Sequence, residues 1–466
     1  SCSTRYIAPQ TMYIPIMIRI VTLAACIPAA LAQSSDCTLG SCSHDEPHAN
    51  DATVAQTLLQ LASATGRQLP RAADTTHGVT QALQARRVNS DVELQQHESL
   101  PAVWASVLSF DPACGEEGTL AMIEMYRVAV QSSIAQGNDK VFVPHLLMHM
   151  PPHMSTAALG ADIHRALQGL EALGVQLVSF VSKFYEPYKE VIAYMEERNK
   201  HVREESHMNV TDIPWQCVIG TYARIDVPNV LHEMGILSSG KYNSTHGIYT
   251  DVDILWMEPV SLDDWFSVAP TNGCQVSLGL DVNAPGHIVI GEGSNAGVMV
   301  FNAQAYVSAK VLDRALDYGE LRRWMLPSYD QSLLNYLFDP EYTTGLDKSG
   351  ADVPQLDREA EARAGLTPLC MTKLGAEWNY KPWWGVSLGT PKMLHLQGYH
   401  PSEELYCYAM QERNPDELAK AMGGMSTGVA SVQRQIVTYY QKFGTDLLRQ
   451  GLLLYYSLLD RAPPSC

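Results

Sequence analysis

The chain has 466 residues, 46% hydrophobic and 18% charged, with a formal net charge of -18. That length and balance exclude a fibrous or wholly disordered chain and leave room for one large α/β domain with appendages. The acidic excess argues against nucleic acid as a partner, because a phosphate-binding surface needs surplus Lys and Arg or a bound metal.

Residues 1–32 carry the pattern of a targeting segment. From Met12, MYIPIMIR leads into the apolar run IVTLAACIPAALA, and AALAQ offers a small-residue cleavage site before Gln33. This reads as a signal peptide or, alternatively, a signal-anchor in the Golgi membrane. Residues 33–100 are polar and rich in Gln, Ser, Thr, Asp and His, which reads as a stem or linker.

From residue 101 the texture changes. AVWASVLSF predicts a strand, GTLAMIEMYRVAVQSSIAQG a helix, KVFVPHLLM a strand, STAALGADIHRALQGLEALG a helix and VQLVSFV a strand. That alternation with short connections is the signature of a parallel sheet covered by helices. A further helix is expected around EPYKEVIAYMEERNKHV. IYTDVDILW, QVSLGLDV, HIVIG and NAGVMVFN then read as strands, and VSAKVLDRALDYGELRRWM as one helix. The charged stretch LDKSGADVPQLDREAEARAG reads as a surface insertion, and residues 415–462 as helical.

Cys2 and Cys26 fall in the targeting segment, leaving eight scattered cysteines whose pairing the sequence does not reveal. Their even number, with sequons at Asn209 and Asn243, fits a secretory route to the Golgi lumen or the exterior. The Asn243 sequon sits in a hydrophilic loop expected to be exposed.

The chemistry centres on YTDVDILW. Asp251 and Asp253 are two apart, so on a regular strand they project from one face. Neighbouring carboxylates repel one another, and a hard divalent cation such as Mn²⁺ or Mg²⁺ relieves the repulsion while leaving positions open for phosphate oxygens. The plain alternative is an exposed turn with two solvated aspartates.

YTDVDILW, NAGVMVFN, DQSLLN, WN and HLQGYHP, in that order, resemble the motif series of family 8 glycosyltransferases, the glycogenin-like enzymes, over residues 101–401. The resemblance implies a GT-A fold, a mixed, mostly parallel sheet flanked by helices, over residues 101–405, followed by a helical extension at 406–466. It implies a retaining glycosyltransferase that binds a nucleotide sugar, usually UDP-linked, through Mn²⁺ and passes the sugar to a glycan or glycoprotein acceptor. Carried over residue by residue, Asp251, Asp253 and His395 match the metal ligands. Arg224 matches a contact to the diphosphate or the donor sugar, Gly398 a contact to the diphosphate, Asn295 and Gly297 the donor-sugar site, and Asp251 also a ribose contact. Asp330 and Gln331 match the pair at the anomeric centre, one of them stabilising the developing oxocarbenium ion or Asp330 serving as a transient nucleophile.

Two positions depart from the family pattern. His400 stands where the family has lysine on the leaving phosphate, with Lys381 and Lys392 nearby as substitutes, and Pro327 replaces an acidic residue. Three alternatives stay open: a lumenal carbohydrate- or nucleotide-sugar-binding pseudo-enzyme, a retaining enzyme of family 77, and a metal-dependent nucleotide-sugar hydrolase.

Overall fold

The computed structural model describes residues 100–187, 189, 215–243, 245–281, 293–322, 324, 326, 329–342, 356–385, 388–396, 401, 403–411, 440, 444–459 and 462–466. They belong to a unit spanning Ser90–Cys466. The expected lead-in, the helix at 186–202 beyond residues 186, 187 and 189, HIVIG, the Asn209 sequon, Pro327, Gly398 and His400 lie outside them, as do Cys37 and Cys42.

The strands are β1 (Ala102–Ser109), β2 (Phe142–His149), β3 (Gln176–Phe180), β4 (His246–Thr250), β5 (Ile254–Trp256), β6 (Val276–Leu280), β7 (Ser294–Asn302), β8 (Met371–Lys373) and β9 (Met393–His395). The helices are α1 (Glu116–Ala135), α2 (Ala161–Ala172), α3 (Trp215–Tyr222), α4 (Val227–Glu233), α5 (Leu262–Ser267), α6 (Ala303–Ser308), α7 (Val311–Leu321), α8 (Tyr329–Phe338), α9 (Arg358–Arg363), α10 (Glu403–Gln411) and α11 (Asp446–Leu458).

Seven strands form one sheet in the order β3-β2-β1-β4-β7-β6-β8. β1 pairs in parallel with β2 and β4, β2 with β3, and β6 with β8, while β7 runs antiparallel to both of its neighbours. The fold is therefore α/β, with a mostly parallel sheet flanked by helices.

β1 shows why the sheet needs cover on both sides. Alternate side chains point to opposite faces of a strand. Trp104 and Leu108 join one core cluster with Tyr126 of α1 and Leu452 of α11, whereas Val103, Ala105 and Val107 join another with Tyr222, Leu231 and Leu333 of α3, α4 and α8. A strand apolar on both faces is what a central parallel strand requires.

Local sequence fixes several boundaries. Glu116 and Glu117 occupy the first turn of α1, where acidic side chains favour the positive helix end. Ser261 and Asp264 form a reciprocal capping box that starts α5. The single helix expected over residues 307–325 is divided: Lys310 takes the left-handed conformation, φ 53°, so α6 stops and α7 starts afresh. Cys114–Cys217 ties the exit of β1 to α3, Cys274–Cys370 ties the entries of β6 and β8, and Cys407–Cys466 ties α10 to the carboxyl terminus. Among the described residues no helix is long and apolar enough to cross a membrane.

Asn243 differs from expectation. It is 3% exposed, and its Oδ1 accepts hydrogen bonds from the backbone N of Thr245 and His246 and from the Thr245 hydroxyl. That is an Asx-type turn folded inward, not a displayed sequon.

Candidate functional site

The two aspartates of YTDVDILW are not on one strand. β4 ends at Thr250 and the chain turns through Asp251-Val252-Asp253 before β5 begins. Strand alternation therefore does not set their direction. Val252 is buried in the core, and the turn is pinned from two sides: Asp251 N donates to Gly297 O on β7 at 2.8 Å, and Asp253 O accepts from Leu396 N at 2.9 Å. The turn lies at the carboxyl end of β4, the parallel neighbour of β1, where open α/β sheets bind ligands.

β5 pairs antiparallel with β9, and the register sets Ile254 opposite His395. This pairing brings a side chain from far along the chain to the turn. His395 Nε2 lies 3.3 Å from Asp253 Oδ1 and 3.7 Å from Asp251 Oδ2. One potential ligand atom from each of Asp251, Asp253 and His395 lies within 4.8 Å of the others.

Two carboxylate oxygens and an imidazole nitrogen suit a hard to borderline divalent ion. A close glycine preserves the space beside them. A Cβ at Gly297 would overlap His395 Cε1 and come within 2.8 Å of Asp251 Oδ2. The donor set and its cradle fit a metal.

Around this core stands a layer of partners. Tyr249 donates its hydroxyl to Asp251 Oδ1 at 2.7 Å. Arg224, in the turn after α3, reaches Asp251 with NH2 at 3.1 Å and NH1 at 3.4 Å, and its Nε lies 3.0 Å from Asp330 Oδ2. Its guanidinium also sits 5.3 Å from the Tyr249 ring centre. Burial opposes charge on Arg224, but Asp251 and Asp330 outweigh it and hold the pKa above the ordinary value. Burial pushes the Asp330 carboxyl up to about 6, with Arg224 pulling it down and Asp251 adding to the rise.

A second chain of contacts runs through Asn295 and Gln331. Asn295 Nδ2 donates to Gln331 Oε1 at 2.9 Å, and Gln331 Nε2 donates to Asp281 Oδ2 at 3.1 Å. Asn295 Oδ1 accepts from Gly297 N at 3.0 Å and from Asn379 Nδ2 at 3.1 Å. Asp251, Asp253, His395, Arg224, Asp330, Gln331, Asn295 and Gly297 are thus linked by hydrogen bonds, ion pairs and close approach.

The two substitute lysines separate. Lys392 bonds Asp264 at 2.6 Å and lies 5.4 Å from the Trp378 ring centre, so it is engaged outside this network. Lys381 is fully buried and faces Asn295, Asn379 and His395. Burial pushes its pKa down to about 7, opposed by Asp281, Asp253 and Asp251.

Tyr249, Asp281 and Asn379 are site residues to which the sequence reading gives no role. Asn379 stands inside the WN motif, and Asp281 follows a strand as Asp251 does, which is the signal that marks them.

No protein-family model and no curated protein sequence matches this chain. Among solved structures it is similar to the galactosyltransferase LgtC in complex with donor and acceptor sugar analogues, at 13% identity over 72% of this chain and 99% of that one, with a TM-score of 0.36. It is similar to the glycosyltransferase GlyE of Streptococcus pneumoniae TIGR4 at 14% identity, 76% and 64% coverage and a TM-score of 0.36. Mouse xyloside xylosyltransferase 1 follows at 11% identity, 64% and 97% coverage and a TM-score of 0.34. At these values the functional reading rests on the site itself and not on the neighbours.

Proposed function

We propose that the chain is a retaining, Mn²⁺-dependent glycosyltransferase of the GT-A type. It takes its donor from a nucleotide sugar, UDP-linked by the motif resemblance, and its acceptor is a glycan or glycoprotein of the secretory pathway. The observation that carries this reading is the convergence of Asp251, Asp253 and His395 at the carboxyl end of the parallel strands. Asp251, Asp253 and His395 would hold the metal, which supplies the positive charge that a diphosphate needs in a chain of net charge -18.

The chain's own residues supply orientation and charge. Arg224 holds Asp251 and Asp330 together through one planar guanidinium. Gln331 is fixed between Asn295 and Asp281, which presents a preorganised amide beside the place assigned to the anomeric carbon. Asp330, held by Arg224, keeps a carboxylate next to the developing positive charge. The three disulfides support passage through an oxidising compartment, in keeping with a signal peptide or signal-anchor at residues 1–32.

A donor screen with Mn²⁺, following UDP release with and without acceptor sugars, tests the reading. Release that grows on adding an acceptor is expected. Release indifferent to every acceptor points to a hydrolase, and neither release nor metal-dependent UDP binding overturns the enzyme.

A further inference from the structure

Lys381 lies directly against His395. Its Nζ lies 2.8 Å from His395 Nδ1, 3.1 Å from Asn379 Oδ1 and 3.3 Å from Asn295 Oδ1. In its charged form the Lys381 amine has three N–H donors, and these three acceptors account for all of them.

Asn379 Oδ1 also lies 2.8 Å from His395 Nδ1. The Asn379 amide cannot be turned over, because its Nδ2 donates to Leu280 O at 3.0 Å and a carbonyl oxygen only accepts. His395 Nδ1 therefore faces a donor and an acceptor at equal distance, and a neutral imidazole has one proton to place. With Lys381 donating to Nδ1, the proton sits on Nε2, directed at Asp253 Oδ1. In that form Nε2 has no lone pair for a metal. With the proton on Nδ1 and donated to Asn379, the Nε2 lone pair joins the two carboxylates.

We propose that Lys381 and Asn379 are opposed positioning residues for His395: Lys381 holds the ring in the tautomer that cannot ligate a metal, and Asn379 receives the proton in the tautomer that can. The inference rests on the metal-dependent reading above. The exchange changes no net charge, since one proton leaves Nε2 as another arrives at Nδ1. Lys381 retains Asn295 and Asn379 as partners when it gives up Nδ1. Metal affinity is thereby set by residues that touch no metal, as outer partners of ligating histidines do elsewhere.

The variant Lys381→Met isolates the effect. Methionine fills the space of the lysine stem and leaves no site oxygen orphaned. Asn295 Oδ1 keeps Gly297 N and Asn379 Nδ2, and Asn379 Oδ1 keeps His395. The first measurement is the tautomer of His395 in metal-free protein, read from long-range ¹H–¹⁵N spectra of histidine-labelled full chain. Wild type is expected to carry the proton on Nε2 and Lys381→Met on Nδ1.

The second measurement is Mn²⁺ affinity without nucleotide, by paramagnetic resonance of the free ion. Lys381→Met is expected to bind about tenfold more tightly and Asn379→Ala about tenfold more weakly, the lower end of what outer partners of metal ligands are worth. The same tautomer in wild type and Lys381→Met, or affinity changes of one sign in both variants, overturns the proposal. Should Asn379→Ala fail to fold, the tautomers of wild type and Lys381→Met decide alone. Wild type that binds no Mn²⁺ sinks the metal-dependent reading, while the metal-free tautomers still test this inference separately.

Discussion

Arg314 with Glu361, and Asp251 with Asp253 and His395, are two ionic groups, each part-buried, that close their charges differently. Arg314 donates Nε and NH2 to the two oxygens of Glu361 at 2.8 and 2.6 Å and NH1 to Thr367 O at 2.8 Å. Arg314 grips the one anion in a fork, its NH1 also reaches Ala309 O, and Arg358 stands 3.8 Å from Glu361 as a second cation. The site is left open by contrast. Asp251, Asp253, Asp281 and Asp330 stand against Arg224 and Lys381, four carboxylates to two cations, so 4 − 2 = 2 negative charges remain when all are ionised. An anion matched by its cations is structural, whereas a surplus of two carboxylate charges, with Asp251 and Asp253 half-buried, is the charge balance that a divalent ion would meet.

The largest effect that separates the two groups comes from the surplus itself. Asp253→Ala should remove Mn²⁺-dependent UDP binding and lower turnover by well over a hundredfold, more than outer partners of a metal ligand are worth. Its circular dichroism spectrum and unfolding midpoint should stay close to wild type, because the substitution relieves repulsion. Full activity in this variant would refute the metal assignment.

Arg314→Met should do the reverse. It leaves Glu361 beneath the surface with Arg358 NH1 3.8 Å away as its remaining cation, and breaking a buried pair costs about 3 kcal/mol or more. Urea unfolding should register that loss, with metal-dependent UDP binding retained by the folded fraction. Arg358 also donates to Tyr336 O and Leu337 O at the end of α8, so the same cluster anchors the helix that carries Asp330 and Gln331. The charged stretch read from sequence as a surface insertion thus contributes Glu361 to a buried clamp.

Asp226 is a third case, a buried carboxyl that forms no ion pair among the described residues. It is held by the Ser182 hydroxyl and by the backbone N of Lys183, and burial pushes its pKa up to about 7. A folded-state pKa raised above the unfolded value means that the folded protein binds the proton more tightly. Its contribution to stability is therefore complete below about 4 and is lost as pH rises through about 7. Asp226→Asn mimics the protonated acid, with Nδ2 facing the hydroxyl and Oδ1 accepting from Lys183. Urea midpoints measured against pH should fall less steeply across that window in the variant than in wild type. Identical slopes would show that Asp226 is not the group responsible.

These clusters also show what a sequence displays. The run through β1, α1, β2, α2 and β3 is legible because burial on both faces and helical spacing are properties of short stretches. Asp251, Asp253 and His395 are legible because motif order preserves them. What brings them together is not: the β5–β9 pairing that seats His395 joins two three-residue strands across a long separation. The break at Lys310 is hidden because tertiary packing overrides a helical pattern that runs straight through it. Asn379 carries no charge and reads as part of a motif until its amide is seen between Asn295 and His395.

Lys392 provides the smallest test and the sharpest contrast with Lys381. Both lie near HLQG and both offer a cation near the position where the resemblance expects a lysine. Lys392 pairs with Asp264, half-exposed at the start of α5, and such pairs contribute about 0.2–1 kcal/mol. Side-chain hydrogen bonding to Lys392 heads the causes that hold the Asp264 carboxyl down at about 2. Lys392→Ala should therefore shift the unfolding midpoint slightly, by an amount that shrinks as salt is added. Turnover and the KM for the nucleotide sugar should change less than about twofold, as for a surface substitution. A KM that rises tenfold or more would mean that Lys392 leaves Asp264 to meet the diphosphate.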